Sequence, residues 1–272
     1  MQIGVFAKTF PGSEPASVLA AVRAAGFTVT QFNLACAGLP SMPDAVPDEA
    51  VRAIDAAGKA SGVGLVALSG TYNMAHPDQA VRDDGLRRLA VIIETAARLS
   101  IPLVTLCTGT RNAEDQWAHH PDNSDPSAWA DMAREMEKAL LLAERHGVDL
   151  GIEPEQANIV TSADDAMRLI GEMGSTRLRI VLDPANLFEQ ANPDEARAIV
   201  AAAVERTAGH VSLAHAKDRF ADGRFTAAGQ GVVDFADFIA RLKTSGFDGP
   251  LVTHGLSAEE APGVARFLKE FV

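Results

Sequence analysis

Cysteine is nearly absent from this 272-residue chain, which holds only Cys36 and Cys107. The two lie far apart, without CxxC spacing or a secretory context. A disulfide framework and a thiolate zinc site are therefore excluded, leaving two reduced packing residues. Long hydrophobic runs are missing too. No segment reaches the ~18 uninterrupted apolar residues that span a bilayer, and the opening MQIGVFAKTF shows no cationic start followed by an apolar stretch. A soluble, cytoplasmic protein is expected. Basic charge is also scarce: 24 Lys and Arg against 36 Asp and Glu leave a net charge of −12. That balance repels phosphate backbones and acidic membranes and offers no counterion-release affinity. Neither nucleic acid nor a membrane is an expected partner. The glycine-rich signature of a dinucleotide site is absent as well, because Gly229-Gln230-Gly231 lacks the third glycine and the preceding acid-bearing unit. No nucleotide cofactor is implied, although the amides of that turn are candidate donors to an anionic group.

What the chain does have is 47% hydrophobic residues, enough for a large core. Closed α/β barrels commonly run to about 250 residues as one domain, so residues 1–272 are read as one. β-type apolar runs fall at about 2–7, 28–34, 64–69, 101–107, 148–153, 177–183, 210–215 and 250–254. Helical spacing fills the intervals. Leu86, Leu89, Ala90, Ile93 and Ala97 mark one buried face, Trp129, Met132, Ala133, Met136 and Leu140 a second, and Phe235, Phe238, Ile239 and Leu242 a third. Asp125-Pro126 reads as an N-cap and first helical position, and Ser257 with Glu260 as a capping box. Gly26, Gly62, Gly147 and Gly246 stand where helices need a left-handed residue to end. Eight strands apolar on both faces, alternating with eight helices, predict an all-parallel α/β sheet closed as a single (β/α)8 TIM barrel. An open doubly wound sheet is the alternative, and the even spacing favours closure.

Against that apolar background, Glu153 in GIEPE, Asp183 in VLDPANL, His215 in LAHAKD and His254 in LVTHGL each close a strand. A barrel converges strand ends at its C-terminal mouth, where active sites sit. Carboxylates and imidazoles are seldom buried without purpose. The four suit one divalent ion such as Mn²⁺, Co²⁺, Zn²⁺ or Mg²⁺. Glu155, two residues past Glu153, could add a carboxylate from the same side. Asn186, Lys217 and Arg219 could bind substrate oxygens, and Asn73 and His76, in the loop after strand three, point to the same mouth. The long polar segment 110–125 leaves strand four at that end and is a candidate lid. His119 and His120 within it are read as solvated, and His146 and His210 as stabilising residues of the bottom face.

Together SGTYNMAHPD, IEPE, LDPANL, AHAKD, GQGVVDF and FDGPLVTHGL resemble the sugar isomerase and epimerase family with the xylose-isomerase-like barrel. The resemblance spans nearly the whole chain. It implies a metal held by a Glu, an Asp, a His and a second Glu, of which Glu153, Asp183 and His215 match the first three. It also implies a substrate bound by carbonyl and hydroxyl oxygens, with one metal-bound Glu removing a proton from carbon and the other returning it. The function so implied is isomerisation or epimerisation of a small keto sugar, polyol or related polyhydroxylated compound. Glu153 is the base, and the expected partner is a small sugar-like molecule, with a homo-oligomer left open.

His254 stands where relatives carry the second Glu. Three roles are open to it: a fourth ligand that favours nitrogen-tolerant ions, an unligated general acid or base near neutral pH, or a hydrogen-bonding residue at a site without chemistry. A dehydratase of an inosose-like substrate would use the same metal site, with His254 protonating the expelled hydroxyl. A non-catalytic barrel that binds a sugar-like ligand is the reading from a different class. The abasic-site nucleases that share this barrel need more histidines and a basic groove, and the −12 charge argues against them.

Overall fold

In the computed structural model, which describes residues 1–272, the chain alternates strand and helix. The order is β1 (Gln2–Phe6), α1 (Pro15–Ala24), β2 (Val29–Phe32), α2 (Asp48–Ser61), β3 (Gly64–Ser69), α3 (Gln79–Arg98), β4 (Leu103–Leu106) and α4 (Pro126–His146). It continues with β5 (Asp149–Ile152), α5 (Ala163–Met173), β6 (Leu178–Leu182), α6 (Pro193–Arg206), β7 (Val211–Arg219), β8 (Phe225–Ala227), α7 (Phe235–Thr244), β9 (Pro250–Thr253) and α8 (Ala261–Lys269). Successive strands β1 to β7 pair in parallel; β7 pairs with β9, and β9 with β1. Eight parallel strands therefore close into a TIM barrel. Strand β8 lies outside that count. It pairs antiparallel with the end of β7, Lys217 opposite Ala227 and Arg219 opposite Phe225. The sequence reading ends this strand at 215, whereas the hairpin partner carries it to Arg219.

The boundary signals act as their chemistry requires. Asp125 accepts the amide of Ser127 at 2.7 Å, a cap of about 1 kcal/mol. Ser257 and Glu260 exchange their two hydrogen bonds, but regular helix begins at Ala261, three residues past the start at 258 that this box implies. Gly62 and Gly147 end α2 and α4 with φ of 67° and 70°. No helix is long and apolar enough to cross a membrane.

Side chains inside the barrel stack in layers because strand residues alternate between faces. Ala67, Leu103, Val181, Leu213 and Val252 form a dry plug. Two residues further along each strand the layer turns polar. The helices cover the outside through an apolar shell in which Leu89, Ile93, Met132, Met136, Phe238 and Leu242 are fully or almost fully buried. An apolar floor beneath a polar layer fixes the depth at which chemistry can occur.

Candidate metal centre at the barrel mouth

The polar layer places Glu153, Asp183, His215 and His254 together: one ligand atom from each lies within 4.8 Å of the others. Asp183 is fully buried and His215 is 3% exposed. Three of the four follow a plug residue by two positions, Asp183 after Val181, His215 after Leu213 and His254 after Val252, and Glu153 stands two residues past Gly151 at the same level of β5. That periodicity aims all of them inward.

Hydrogen bonds set the orientation of each donor. Asn186 Nδ2 donates to Glu153 Oε1 at 2.7 Å. Lys217 Nζ donates to Asn186 Oδ1 at 2.7 Å and lies 3.4 Å from Asp183 Oδ2. His254 Nε2 is 2.9 Å from Asp183 Oδ2, and the two imidazole rings are 4.5 Å apart. His215 is held at both nitrogens: Nε2 lies 2.9 Å from Gln31 Oε1 and Nδ1 lies 3.2 Å from Glu153 Oε1. The Gln31 amide nitrogen donates to Ser69 and Thr105 hydroxyls at 3.2 Å each. Its oxygen must therefore accept from His215, which puts the ring proton on Nε2 and leaves the Nδ1 lone pair facing a carboxylate.

Two lone-pair-bearing atoms at that separation need positive charge between them, supplied by a second ring proton or by a metal ion. The donor set of two carboxylates and two imidazoles suits a divalent transition metal. Donors sharing one ion at 2.0–2.2 Å can stand no more than about 4.4 Å apart. The observed cluster therefore encloses an ion-sized site after shifts of a few tenths of an ångström. The residues fit a divalent ion.

Charges in the layer perturb one another. Burial pushes the Glu153 carboxyl up, but the charge and hydrogen bond of His215 outweigh it and leave Glu153 below its ordinary range. Burial likewise opposes ionisation of Asp183, and Lys217, His254 and His215 together drive it far below that range. Burial, seconded by His215 and Lys217, lowers His254 despite Asp183. Glu155 moves the other way, pushed up to about 7 by burial and by the charge of Glu153.

The cluster opens into a cavity of about 440 Å³. Glu155, Asn186 and Lys217 line it beside Glu153, His215 and His254. Asn73 and His76 do not. Asn73 Oδ1 accepts the amides of Ala75 and Thr110, and its Nδ2 donates to Asn112 O. His76 bridges Ala113 O and the Asp78 amide. Both bind the loop after β3 to segment 110–125, on its outer side. Arg219 also misses this cavity. Its guanidinium stacks 4.0 Å from the Phe225 ring and donates to Phe188 O and Glu189 O, lining an adjoining cleft. Segment 110–125 does reach the mouth, because Gln116 and Trp117 form part of the cavity wall, and Trp117 also lines the adjoining cleft.

The reading of residues missed Gln31, Lys8, Asn33 and Trp117, all in the wall. Gln31 carries no local mark of function: it lies beside Thr30 in VTQF, a strand buried throughout, where two uncharged polar residues read alike. The amides of the Gly229–Gly231 turn are not free for an external anion. Gly229 and Gly231 donate to Asp218 Oδ2 at 3.0 and 2.8 Å, and Val233 donates to Oδ1 at 3.0 Å. A Cβ at Gly231 would collide with Arg219 O, so close approach of the two segments requires glycine.

Residues 19–271 match the family described as xylose isomerase-like TIM barrel, and the chain belongs to that family. No match is found among curated protein sequences. Among solved structures, 3-keto-D-glucoside 4-epimerase from E. coli is similar at 17% identity and TM-score 0.78, with 99% of both chains covered. An L-ribulose 3-epimerase aligns at 20% identity and TM-score 0.76, covering 99% of this chain and 92% of that one. The D-psicose 3-epimerase from Clostridium cellulolyticum H10, solved with D-tagatose, aligns at 14% identity and TM-score 0.74, covering 100% and 99%. At these identities the likeness establishes the fold.

Proposed function

We propose that this protein is a divalent-metal-dependent isomerase or epimerase that moves a proton beside the carbonyl of a small keto sugar or related polyhydroxylated compound. The observation that carries the reading is the inward cluster of Glu153, Asp183, His215 and His254 at the floor of a polar cavity. The structural similarity to three sugar epimerases supports it.

A bound divalent ion would polarise the substrate carbonyl, lowering the barrier to C–H ionisation by several kcal/mol. Glu153, ionised and oriented by Asn186 and His215, takes the proton from carbon. Asp183, tethered by Lys217 and His254, would help hold that ion. Lys217 offers its remaining N–H donors to substrate oxygens. Glu155, in the same wall, is the second carboxylate available to return a proton, a role that relatives give to the Glu replaced here by His254. Trp117 and Gln116 exclude water from above.

The test is hydrogen exchange from D2O into candidate keto sugars, followed by NMR with the Mn²⁺-loaded protein and its Glu153→Gln variant. The variant keeps volume and loses the base, so exchange should fall by about 10²–10⁴-fold. Undiminished exchange in Glu153→Gln rejects Glu153 as the base. A dehydrated product in place of recovered isomers would move the protein to the lyases.

A further inference from the structure

Lys8 sits in the 3-10 turn Ala7–Thr9 immediately after β1, at the same end of the barrel as the metal centre. It is exposed, forms no hydrogen bond or ion pair, and lines the cavity that contains Glu153, Asn186, His215, Lys217 and His254. Other cations near the mouth are engaged. Arg111 pairs with Asp131 at 2.7 Å, Arg224 with Asp222 at 2.9 Å, and Arg219 is bound to backbone carbonyls. Lys217 is held by Asn186 and Asp183. Lys8 alone in the cavity wall is a cation without an assigned counter-charge.

The local charge favours an anion. Even with Glu153, Glu155 and Asp183 all ionised, Lys8, Lys217 and a divalent ion leave the site one positive charge in excess. The chain as a whole is strongly negative, with a net charge of −12. A neutral sugar would gain only a hydrogen bond from a free ammonium at the rim, whereas an acidic one would gain charge attraction as well.

We propose that the substrate carries a carboxylate or phosphate group that Lys8 seats at the mouth, while its carbonyl and hydroxyl oxygens face the four-residue cluster. The inference rests on the proton-transfer reading only for which end of the substrate points inward. An exposed ammonium meeting an anion through a charge-assisted hydrogen bond should favour it about tenfold over the matched neutral compound. Salt should erode that preference, because Lys8 is solvent-exposed.

Isothermal titration of the Mn²⁺-loaded protein with D-erythronate, erythritol 4-phosphate and erythritol tests this. At least one of the two anions should bind about tenfold tighter than erythritol, and which one does so distinguishes an acid from a phosphorylated substrate. Lys8→Gln should bring the preferred anion to within about twofold of erythritol, and Lys8→Arg should restore the preference. Equal binding of all three compounds, no binding of either anion at millimolar concentration, or a tenfold preference that survives in Lys8→Gln overturns the proposal. Because the readout is binding, its failure is separable from that of the functional reading. An intact Lys8-dependent preference without proton exchange removes only the isomerase reading, and exchange without the preference removes only this one.

Discussion

Replacing Gln31 by Leu should weaken metal binding by about 10–100-fold while leaving the barrel folded. Gln31 touches no proposed substrate atom; it fixes which nitrogen of His215 is free. With its amide oxygen 2.9 Å from Nε2, the ring proton stays there and Nδ1 presents a lone pair to the cluster. Leucine removes that acceptor from a ring that is almost fully buried. An unpaired N–H in such a place costs about 1–3 kcal/mol. The ring escapes the cost by moving its proton to Nδ1, where Glu153 Oε1 accepts it at 3.2 Å. That tautomer cannot ligate through Nδ1, so metal must first undo it, and the same 1–3 kcal/mol reappears as lost affinity. Gln31→Glu keeps an acceptor at Nε2 and should retain affinity to within about threefold. Competition against a chromophoric chelator gives the dissociation constants, and circular dichroism confirms the fold. Unchanged affinity in folded Gln31→Leu would refute ligation by His215 Nδ1.

His254→Glu should shift metal preference by about tenfold from Zn²⁺ towards Mn²⁺ or Mg²⁺, since a third carboxylate replaces a nitrogen donor; an unchanged preference in the same chelator assay would place residue 254 outside the coordination sphere. Asp218→Ala should strip the acceptors from the amides of Gly229, Gly231 and Val233. The loss of about 3 kcal/mol would lower Tm by about 6–12 °C, and an unaltered melting curve would show that the turn holds without its internal anion.

Legibility in the sequence followed chemical contrast. Glu153, Asp183, His215 and His254 stood out because each closes an apolar run in the sequence, and a parallel barrel brings those positions to one mouth. Phe235, Phe238, Ile239 and Leu242 were readable by spacing, and all four are buried. Gln31 was not, because an uncharged amide in a strand reads as tolerated polarity until its partner across the barrel is known. That partner, His215, is 184 residues away. Lys8 looked like any surface lysine, since its meaning depends on which carboxylates lie near it and which do not. Asn73 and His76 sit on the expected loop, but the fold points them at backbone groups of segment 110–125.

The sequence by itself determined the strand-and-helix alternation, the closure of the sheet and the identities of the four cluster residues. These depend on apolar periodicity and on chemical contrast between neighbouring residues, which can be seen along the chain. Only the tertiary structure decided the depth of the site above its apolar plug, the tautomer imposed on His215 and the hairpin that extends β7 to Arg219. It also decided which of the candidate binding residues share one cavity. Those outcomes turn on register and on distances between strands remote in the chain, and a one-residue slip would reverse which face each side chain meets.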